Sequence, residues 1–352
     1  MKLLIIGGTI FLGRHLAAAA IARGAEVTLF NRGNHPTIGS TQIETIKGDR
    51  NYDLHELKGR RWDAVIDTCG YLPRSVNTSA EVLSDSVDVY TFISSQSVYV
   101  NVSAPGVDES APLATLTDEQ LEEANAIDAS GPSSVNYGKL YGGLKALCEQ
   151  TVETVMANRV LTIRPGLIVG PNDPTDRFTY WVVRVARGGE VLAPDSPATY
   201  LQFIDVRDLA EWILRMVEQK RTGTYNATSP AGSLTMGDLF QECKEVSNSD
   251  AFFTWVSEDF LLQQPVMAWT EMPLWLPRQG APHLNGFMFI NCSKALTTGL
   301  TFRSLTTTVH DTLAWYRSEP SDNDLKAGIK EDRECALLSN WHESQAQSSN
   351  TA

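Results

Sequence analysis

At 352 residues, with 42% hydrophobic and 20% charged content, the chain has the makings of a soluble globular protein of one large or two modest domains, able to bury a core of its own. A formal net charge of −13 and a sequence pI near 4.9 set an unfavourable field for polyanions and disfavour nucleic acid as a partner. No run approaches the roughly 18 apolar residues of a membrane span, so no membrane role is expected.

Lys2 to Ile6 predicts a short apolar strand; glycines follow, and the alanine-rich stretch Arg14 to Arg23 predicts a helix. Gly24 ends that helix, and Glu26 to Phe30 predicts a second strand closing in the loop Asn31-Arg32-Gly33, which completes a βαβ unit. A third strand precedes Asp49-Arg50. Buried strands are expected again at Ala64 to Ile66, Tyr90 to Ile93 and Val160 to Ile163, with helices at Ser75 to Leu83 and Tyr141 to Val155. Such alternation predicts an α/β fold, a doubly wound parallel sheet with helices on both faces.

Between Tyr99 and Tyr137 lies an acidic stretch with Asp108, Glu109, Asp118, Glu119, Glu122, Glu123 and Asp128 and no lysine or arginine. It reads as a solvated insertion with one short helix, or as a lid over a site. After about Arg164 the chain is richer in Pro, Gly and Trp, irregular around Pro171 to Asp176 and Met272 to Pro282, as expected of a smaller α+β domain. A strand-then-helix pattern over Leu201 to Leu214 could return to the first sheet, so the two domains are expected to interleave. The expected division is 1–165 with 199–228 for a dinucleotide-binding domain, 166–198 with 229–317 for a substrate-binding domain, and 318–352 as a polar C-terminal tail whose last residues are disordered. Cys69, Cys148, Cys243, Cys292 and Cys335 form no CxxC pair and match no histidine spacing, which predicts reduced thiols and no metal site. With Leu3 to Ile6 too early to follow a basic leader region, the expected location is the cytoplasm.

Gly7-Gly8-Thr9-Ile10-Phe11-Leu12-Gly13 falls between the first strand and the first helix. There, small residues let the backbone approach a pyrophosphate, and a helix N-terminus offers unpaired N–H groups. Ile10 stands midway between Gly7 and Gly13, so the backbone there must do without a positive φ. At the end of the second strand a carboxylate would accept the ribose hydroxyls of NAD and repel the extra phosphate of NADP. The chain has neutral Asn31 and then Arg32, which favours NADP; if Arg32 is only a solvated loop arginine, NAD is acceptable. Asp49 and Arg50 are candidates to reach the adenine, and Cys69 and Gly70 to line the dinucleotide groove.

Tyr141-Gly142-Gly143-Leu144-Lys145 places a phenol and an amine at i and i+4 on one helix face. A tyrosine with a solution pKa of about 10 is a poor base at neutral pH, and a nearby ammonium favours its phenolate. Upstream, the Tyr90 to Ile93 strand runs into Ser94-Ser95-Gln96-Ser97, and strand C-terminal ends are where open α/β sheets bind ligands. Ser95 could hydrogen-bond the substrate oxygen while Tyr141 transfers the proton. Tyr137 lies one turn before Tyr141 but lacks a lysine at the same offset, which makes it a decoy or a second substrate contact.

These motifs, with Arg164-Pro165-Gly166-Leu167-Ile168-Val169-Gly170-Pro171 and Phe203-Ile204-Asp205-Val206-Arg207-Asp208-Leu209-Ala210, give residues 1–317 a resemblance to the extended short-chain dehydrogenase/reductase superfamily. Within it the chain resembles the atypical NAD-dependent epimerase/dehydratase-like proteins, including bacterial isoflavone-reductase-like proteins and chloroplast stem-loop-binding proteins. The resemblance implies a Rossmann-type sheet, Tyr141 as acid/base, Lys145 as its lysine and ribose contact, Ser95 as the hydroxyl that aids proton transfer, and Pro165 and Gly166 beside the cofactor. It is compatible with a homodimer.

Departures narrow the substrate. Sugar-nucleotide dehydratases carry a carboxylate pair where Gln96 and Ser97 stand, so elimination of water is not expected. Nucleotide-sugar epimerases place an asparagine at Leu167 and an arginine near Leu201; without them, charge-assisted hydrogen bonds worth roughly 1.5–3 kcal/mol each are lost. Arg177, Arg184 and Arg187 are alternative cations, and among the aromatic residues Tyr180, Trp181, Trp255, Trp269 and Trp275, Tyr180 and Trp181 are candidate substrate contacts, unless they fill a core. Gln96, Ser97, Tyr137, Leu167 and Arg177 complete the candidate substrate set for a small molecule. Three functions stay open: an oxidoreductase exchanging a hydride with a carbonyl or alcohol, an epimerase that retains its cofactor, and a non-catalytic RNA-binding protein, which the net charge disfavours.

Overall fold

The computed structural model describes residues 1–36, 39, 42–127, 136–319 and 324–350. Apolar runs without polar alternation, the mark of strands buried on both faces, form most of one sheet. Its first half comprises β1 (Lys2–Ile6), α1 (Phe11–Ala22), β2 (Glu26–Asn31), β3 (Ile43–Lys47), β4 (Trp62–Asp67), α2 (Pro73–Leu83), β5 (Val87–Ile93), α3 (Asp118–Ala126), α4 (Tyr141–Met156) and β6 (Val160–Pro165). There follow β7 (Leu167–Val169), α5 (Arg177–Ala186), β8 (Glu190–Pro194), β9 (Phe203–Asp205), α6 (Val206–Glu218), β10 (Gly223–Ala227), α7 (Met236–Ser247) and β11 (Phe252–Val256). The remaining helices are α8 (Glu258–Gln263), α9 (Ser293–Thr297), α10 (Leu305–Ser318) and α11 (Glu331–Asn350).

The seven-stranded sheet has the order β10-β6-β5-β4-β1-β2-β3, and every pairing in it is parallel. It is the doubly wound Rossmann-type arrangement that the alternation predicts. The order of connection reverses between β1 and β4, with Ile6 opposite Asp67, so the turns after these two strands flank the crevice where such sheets hold ligands. Alternate strand residues face opposite layers. Leu3, Ile5, Leu29 and Ile163 pack under α1 and α6, where Ala17 and Ala20 let the helix approach closely, whereas Leu4, Ile6, Phe30 and Phe92 pack under α2 and α4. A second core joins α5, α7, β8, β11 and the C-terminal helices around Phe178, Trp181, Phe240 and Trp275.

Two expectations are corrected. The strand in Leu201 to Leu214 does not enter the main sheet: β9 pairs with β7, and it is β10 that lies beside β6. Strand partners are chosen by tertiary packing, which a local pattern does not carry. The C-terminal region, expected as a polar tail, contains α11, reaching Asn350; residues 351 and 352, on which the expectation of disorder falls, lie outside the described residues. One buried carboxylate anchors this helix, since Glu334 accepts from Arg184 Nε at 2.7 Å and from the Leu192 amide at 3.0 Å, and Leu337 and Leu338 are buried beside it.

In the acidic insertion, Thr117 and Gln120 close a capping box on α3, with Asp118 and Glu119 in the first turn, a favourable sign at a helix N-terminus. Leu121 and Ala124 bring α3 against Leu72, Tyr137, Leu140 and Leu144, in the cluster that includes Tyr141. Asp128 lies outside the described residues.

Candidate active site

The glycine turn is shaped by close approach. Gly7 and Gly8 take φ of 100° and 84°. A Cβ on Gly7 would fall 2.5 Å from Thr68 Oγ1, and one on Gly13 would fall 2.7 Å from Gly8 Cα. Ile10 is extended at φ −119° and 44% exposed, and the next left-handed residue is Phe11 at φ 37°. Thr9 is half-buried and Leu12 buried. No side chain among the described residues caps α1, and its first turn holds no acidic residue. The Gly13 amide donates to the Ile10 carbonyl at 3.0 Å, and the N–H groups ahead of it are placed to meet an anion.

Around this turn, Asn31 is spent on the protein itself: its Nδ2 donates to the Gly7 carbonyl at 3.3 Å and its Oδ1 accepts from the Gly33 amide at 2.8 Å. Arg32 follows, exposed. Across the crevice, the Cys69 amide donates to Asp67 Oδ1 at 3.1 Å, and Cys69 Sγ lies 3.5 Å from the point a Gly7 Cβ would take. Arg50 is placed otherwise than expected. Its guanidinium turns into the sheet, donating to Asp67 at 2.9 and 2.8 Å and to Ser79 Oγ at 2.9 Å, so it does not serve an adenine. Asp49 caps its own turn, accepting from the Asn51 amide at 2.8 Å.

Ser95 ends the extended segment after β5; its Oγ accepts from the Ser97 amide at 3.1 Å and lies near enough to the Tyr141 phenol to pull its pKa down. The helix can come this near because Gly142 has no side chain: a Cβ there would sit 2.1 Å from the Ser97 carbonyl oxygen. Burial pushes the phenol up to about 12, against the pull of the Ser95 hydroxyl. One turn on, Lys145 donates to the Gly70 carbonyl at 2.7 Å and the Ile93 carbonyl at 2.5 Å, with its Nζ 4.2 Å from the Phe92 ring centroid. Burial lowers the pKa of its ammonium, opposed by Cys148 and Asp67. Tyr137 is buried, stacked on Tyr71 with centroids 6.4 Å apart, and its hydroxyl has no partner among the described residues.

Beside Ser95, Gln96 is 3% exposed; its Nε2 donates to the Phe287 carbonyl at 3.5 Å, while its Oε1 has no partner among the described residues. The Thr228 hydroxyl, likewise buried and unpartnered, lies with Gln96 Oε1 against Gly166, at 2.6 and 3.0 Å from the point its Cβ would take. Sequence reasoning missed Thr228; its only signal is that it follows a strand ending beside Pro165. Leu167 is half-buried in β7 and Ser97 half-buried after Gln96.

Tyr180 and Trp181 are corrected as substrate contacts. Both are buried in the second core, with Trp181 Nε1 donating to the Pro273 carbonyl at 2.7 Å, because α5 turns its apolar face inward there. Arg184 is spent on Glu334, and Arg187 is exposed. Arg177 is half-buried over the Trp269 ring at 5.2 Å. Among the described residues no group of three or more His, Cys, Asp or Glu side chains could hold a metal ion, and no helix is long and apolar enough to cross a membrane.

A parallel doubly wound sheet with a glycine turn at its switch point is the arrangement in which dinucleotide-binding proteins hold their cofactor. The NAD dependent epimerase/dehydratase family matches residues 3–228, and the chain belongs to that family. It is 28% identical over 236 residues to the chloroplast stem-loop binding protein of 41 kDa b of Arabidopsis thaliana, a match covering 62% of this chain and 56% of that one. Over 183 residues, 49% of this chain and 52% of the other, it is 29% identical to the 2-alkyl-3-oxoalkanoate reductase of Stenotrophomonas maltophilia strain K279a. The chain thus spans about half the length of the curated relatives it matches. UDP-glucuronic acid 4-epimerase from Bacillus cereus in complex with NAD shares the fold at a TM-score of 0.64 and 15% identity, over 90% of this chain and 99% of that one.

Proposed function

We propose that the protein is an NAD(P)-dependent oxidoreductase that exchanges a hydride with a small carbonyl or alcohol substrate at Ser95, Tyr141 and Lys145. The carrying observation is the Ser95 hydroxyl beside the Tyr141 phenol at the C-terminal edge of the sheet, close enough to pull the phenol's pKa down, with Lys145 one turn on. The residues present fit a dinucleotide: the Gly7 cradle would be filled by any Cβ, and the uncapped start of α1 suits a pyrophosphate. When bound, the cofactor supplies or accepts the hydride. Gly7 to Gly13 would hold its phosphates, Cys69, Gly70, Pro165 and Gly166 would line its groove, and Lys145 would serve its ribose. Ser95 fixes the substrate oxygen, and Tyr141 gives it a proton in reduction or takes one in oxidation. In this reading residues 1–165 and 199–228 serve the cofactor, and 166–198 with 229–317 serve the substrate. A cytoplasmic location fits the free thiols of Cys148, Cys243 and Cys292, all buried.

An epimerase reading is less well supported, because Leu167 and buried Leu201 stand where charge-assisted contacts to a diphosphate would be needed. The test is to denature purified protein, measure released nucleotide, and follow hydride consumption from added NADPH with a panel of aldehydes and ketones. Exchangeable cofactor with net oxidation supports the oxidoreductase; stoichiometric retained cofactor without net oxidation contradicts it. The RNA-binding reading draws only on the chloroplast relative's name, and the charge of −13 opposes it.

Cofactor choice is read as NADP, from exposed Arg32 beside neutral Asn31. Arg32→Ala is expected to weaken NADPH about tenfold or more while leaving NADH nearly unchanged, because a guanidinium pairs with the added phosphate. Parallel calorimetric titrations check this; equal losses would assign the choice elsewhere.

A further inference from the structure

Among the arginines of the described structure that are buried or half-buried, five are spent on carboxylates: Arg50 on Asp67, Arg164 on Glu149, Arg184 on Glu334, Arg207 on Asp205, and Arg303 on Asp208. Arg177 is different. It opens α5 half-buried, with its guanidinium over the Trp269 ring, and among the described residues it makes no hydrogen bond or ion pair. Trp269 sits in a left-handed backbone at φ 68°, in a turn where its amide donates to the Met272 carbonyl at 3.1 Å.

Arg177 also lies at the end of a chain of contacts that begins beside Ser95. Gln96 adjoins Ser95 and donates to the Phe287 carbonyl; the Phe287 ring meets Trp269 edge-on at 5.9 Å; Trp269 carries Arg177. From the proton-transfer end outward, these contacts therefore run from polar to aromatic to cationic. Behind Arg177, Asp173 is 2% exposed. Its Oδ1 accepts from the amide and hydroxyl of Thr175 at 2.8 Å, and its Oδ2 has no partner among the described residues.

We infer that Arg177 is the anchor for a carboxylate carried by the substrate, separated from the reacting carbon by an apolar stretch that lies on Phe287 and Trp269. The inference rests on the oxidoreductase reading for calling this ligand a substrate. One guanidinium matches one carboxylate with two parallel hydrogen bonds. A nucleoside diphosphate would bring at least two charges, and Leu167 and Leu201 offer none in return.

Asp173 gives the site a pH signature. Burial pushes its carboxyl up to about 6, against the donors of Thr175 and the pull of Arg177, with Asp176 adding to the rise. Asp176 is itself engaged by the Lys326 amide, and Lys326 Nζ bonds the Pro174 carbonyl. Ionised Asp173 competes with a bound carboxylate for the charge of Arg177. Binding therefore tightens as pH falls from about 7 toward 5.5, while an aliphatic carboxylic acid, with a pKa near the Glu value of about 4.3, stays largely ionised.

The experiment uses the full chain with saturating NADP+, titrated calorimetrically with octanoate and with methyl octanoate. The acid is expected to bind about tenfold tighter than the ester, the size of one charged hydrogen-bonded contact. Arg177→Gln should bring the acid to the level of the ester, and Asp173→Asn should flatten the pH dependence while keeping the preference for the acid. Equal binding of acid and ester by the wild type, no binding of the acid, or an acid preference that survives Arg177→Gln overturns the inference. Titration of NADP+ into the same variants separates the two claims. An acid preference lost in Arg177→Gln, in a chain that binds no dinucleotide, leaves the carboxylate site standing and removes the oxidoreductase reading.

Discussion

Tyr141→Phe is expected to lower turnover by about 10²–10⁴-fold, the usual contribution of a general acid or base, while dinucleotide affinity stays close to that of the wild type. The substitution removes only the hydroxyl beside Ser95 and keeps the ring that packs among Leu72, Tyr137 and Leu144. With burial holding the phenol up to about 12, the group stays protonated at neutral pH and stands ready as an acid for reduction. In the oxidation direction it must first lose that proton, so the rate should climb with pH, and the bound cofactor's positive charge and the Lys145 ammonium must bring the phenol down. Lys145→Met is expected to cost rate and some cofactor affinity together. Ser95→Ala should be milder, since a water can replace part of its hydrogen bond. Tyr137→Phe is the control: its hydroxyl serves no described partner, and most activity should survive. Steady-state kinetics of the four variants checks this; a dead Tyr137→Phe beside an active Tyr141→Phe would reverse the assignment.

Arg50→Met is expected to destabilise the fold by about 3–5 kcal/mol at neutral pH, the cost of leaving a buried carboxylate without its counter-charge. Burial pushes the Asp67 carboxyl up, but Arg50 outweighs it, with help from the Tyr90 hydroxyl, which donates to Oδ2 at 2.8 Å, and holds it below its usual range. A depressed folded-state pKa contributes stability above the unfolded value of about 3.9, and that contribution is lost as pH falls through the folded value. In Arg50→Met burial is opposed only by neighbouring donors and the Lys145 charge, so the carboxyl rises and the variant's deficit should shrink on acidification. Adding Asp67→Leu should recover most of the loss at neutral pH, because an apolar pair leaves no charge buried. Urea unfolding across pH measures all three. A loss near zero for Arg50→Met, or no recovery in the double variant, contradicts the buried-pair explanation.

These two sites differ in how far the sequence exposes them. Tyr141 and Lys145 are legible because a helix fixes which residues share a face, and Lys2 to Ile6 is legible because an unbroken apolar run sits between a lysine and two glycines. Arg50 is not. Its neighbours in sequence suggest a loop arginine at a strand end, and only the sheet order, which sets β4 rather than solvent beside it, brings Asp67 within reach. Tyr180 and Trp181 fail for a related reason: periodicity shows that α5 has an apolar face but not whether that face meets a ligand or α7. The same limit hides Gln96 and Thr228 as a pair, since they lie 132 positions apart by their numbers and meet only because β10 runs next to β6. In α11, a sequence of low hydropathy takes its place through one buried carboxylate, Glu334, which composition counts as polar.

The most direct measurement is calorimetric titration of the full chain with NAD+, NADH, NADP+ and NADPH, alongside Gly13→Val. A side chain at Gly13 would strike Gly8 Cα from 2.7 Å and push α1 off the turn that is to hold the phosphates. Saturable binding of at least one nucleotide by the wild type, lost in a Gly13→Val chain that still unfolds cooperatively, is the expected result. No binding of any of the four at millimolar concentration, or full affinity in Gly13→Val, would contradict a dinucleotide seated on Gly7 to Gly13 and the oxidoreductase chemistry built upon it.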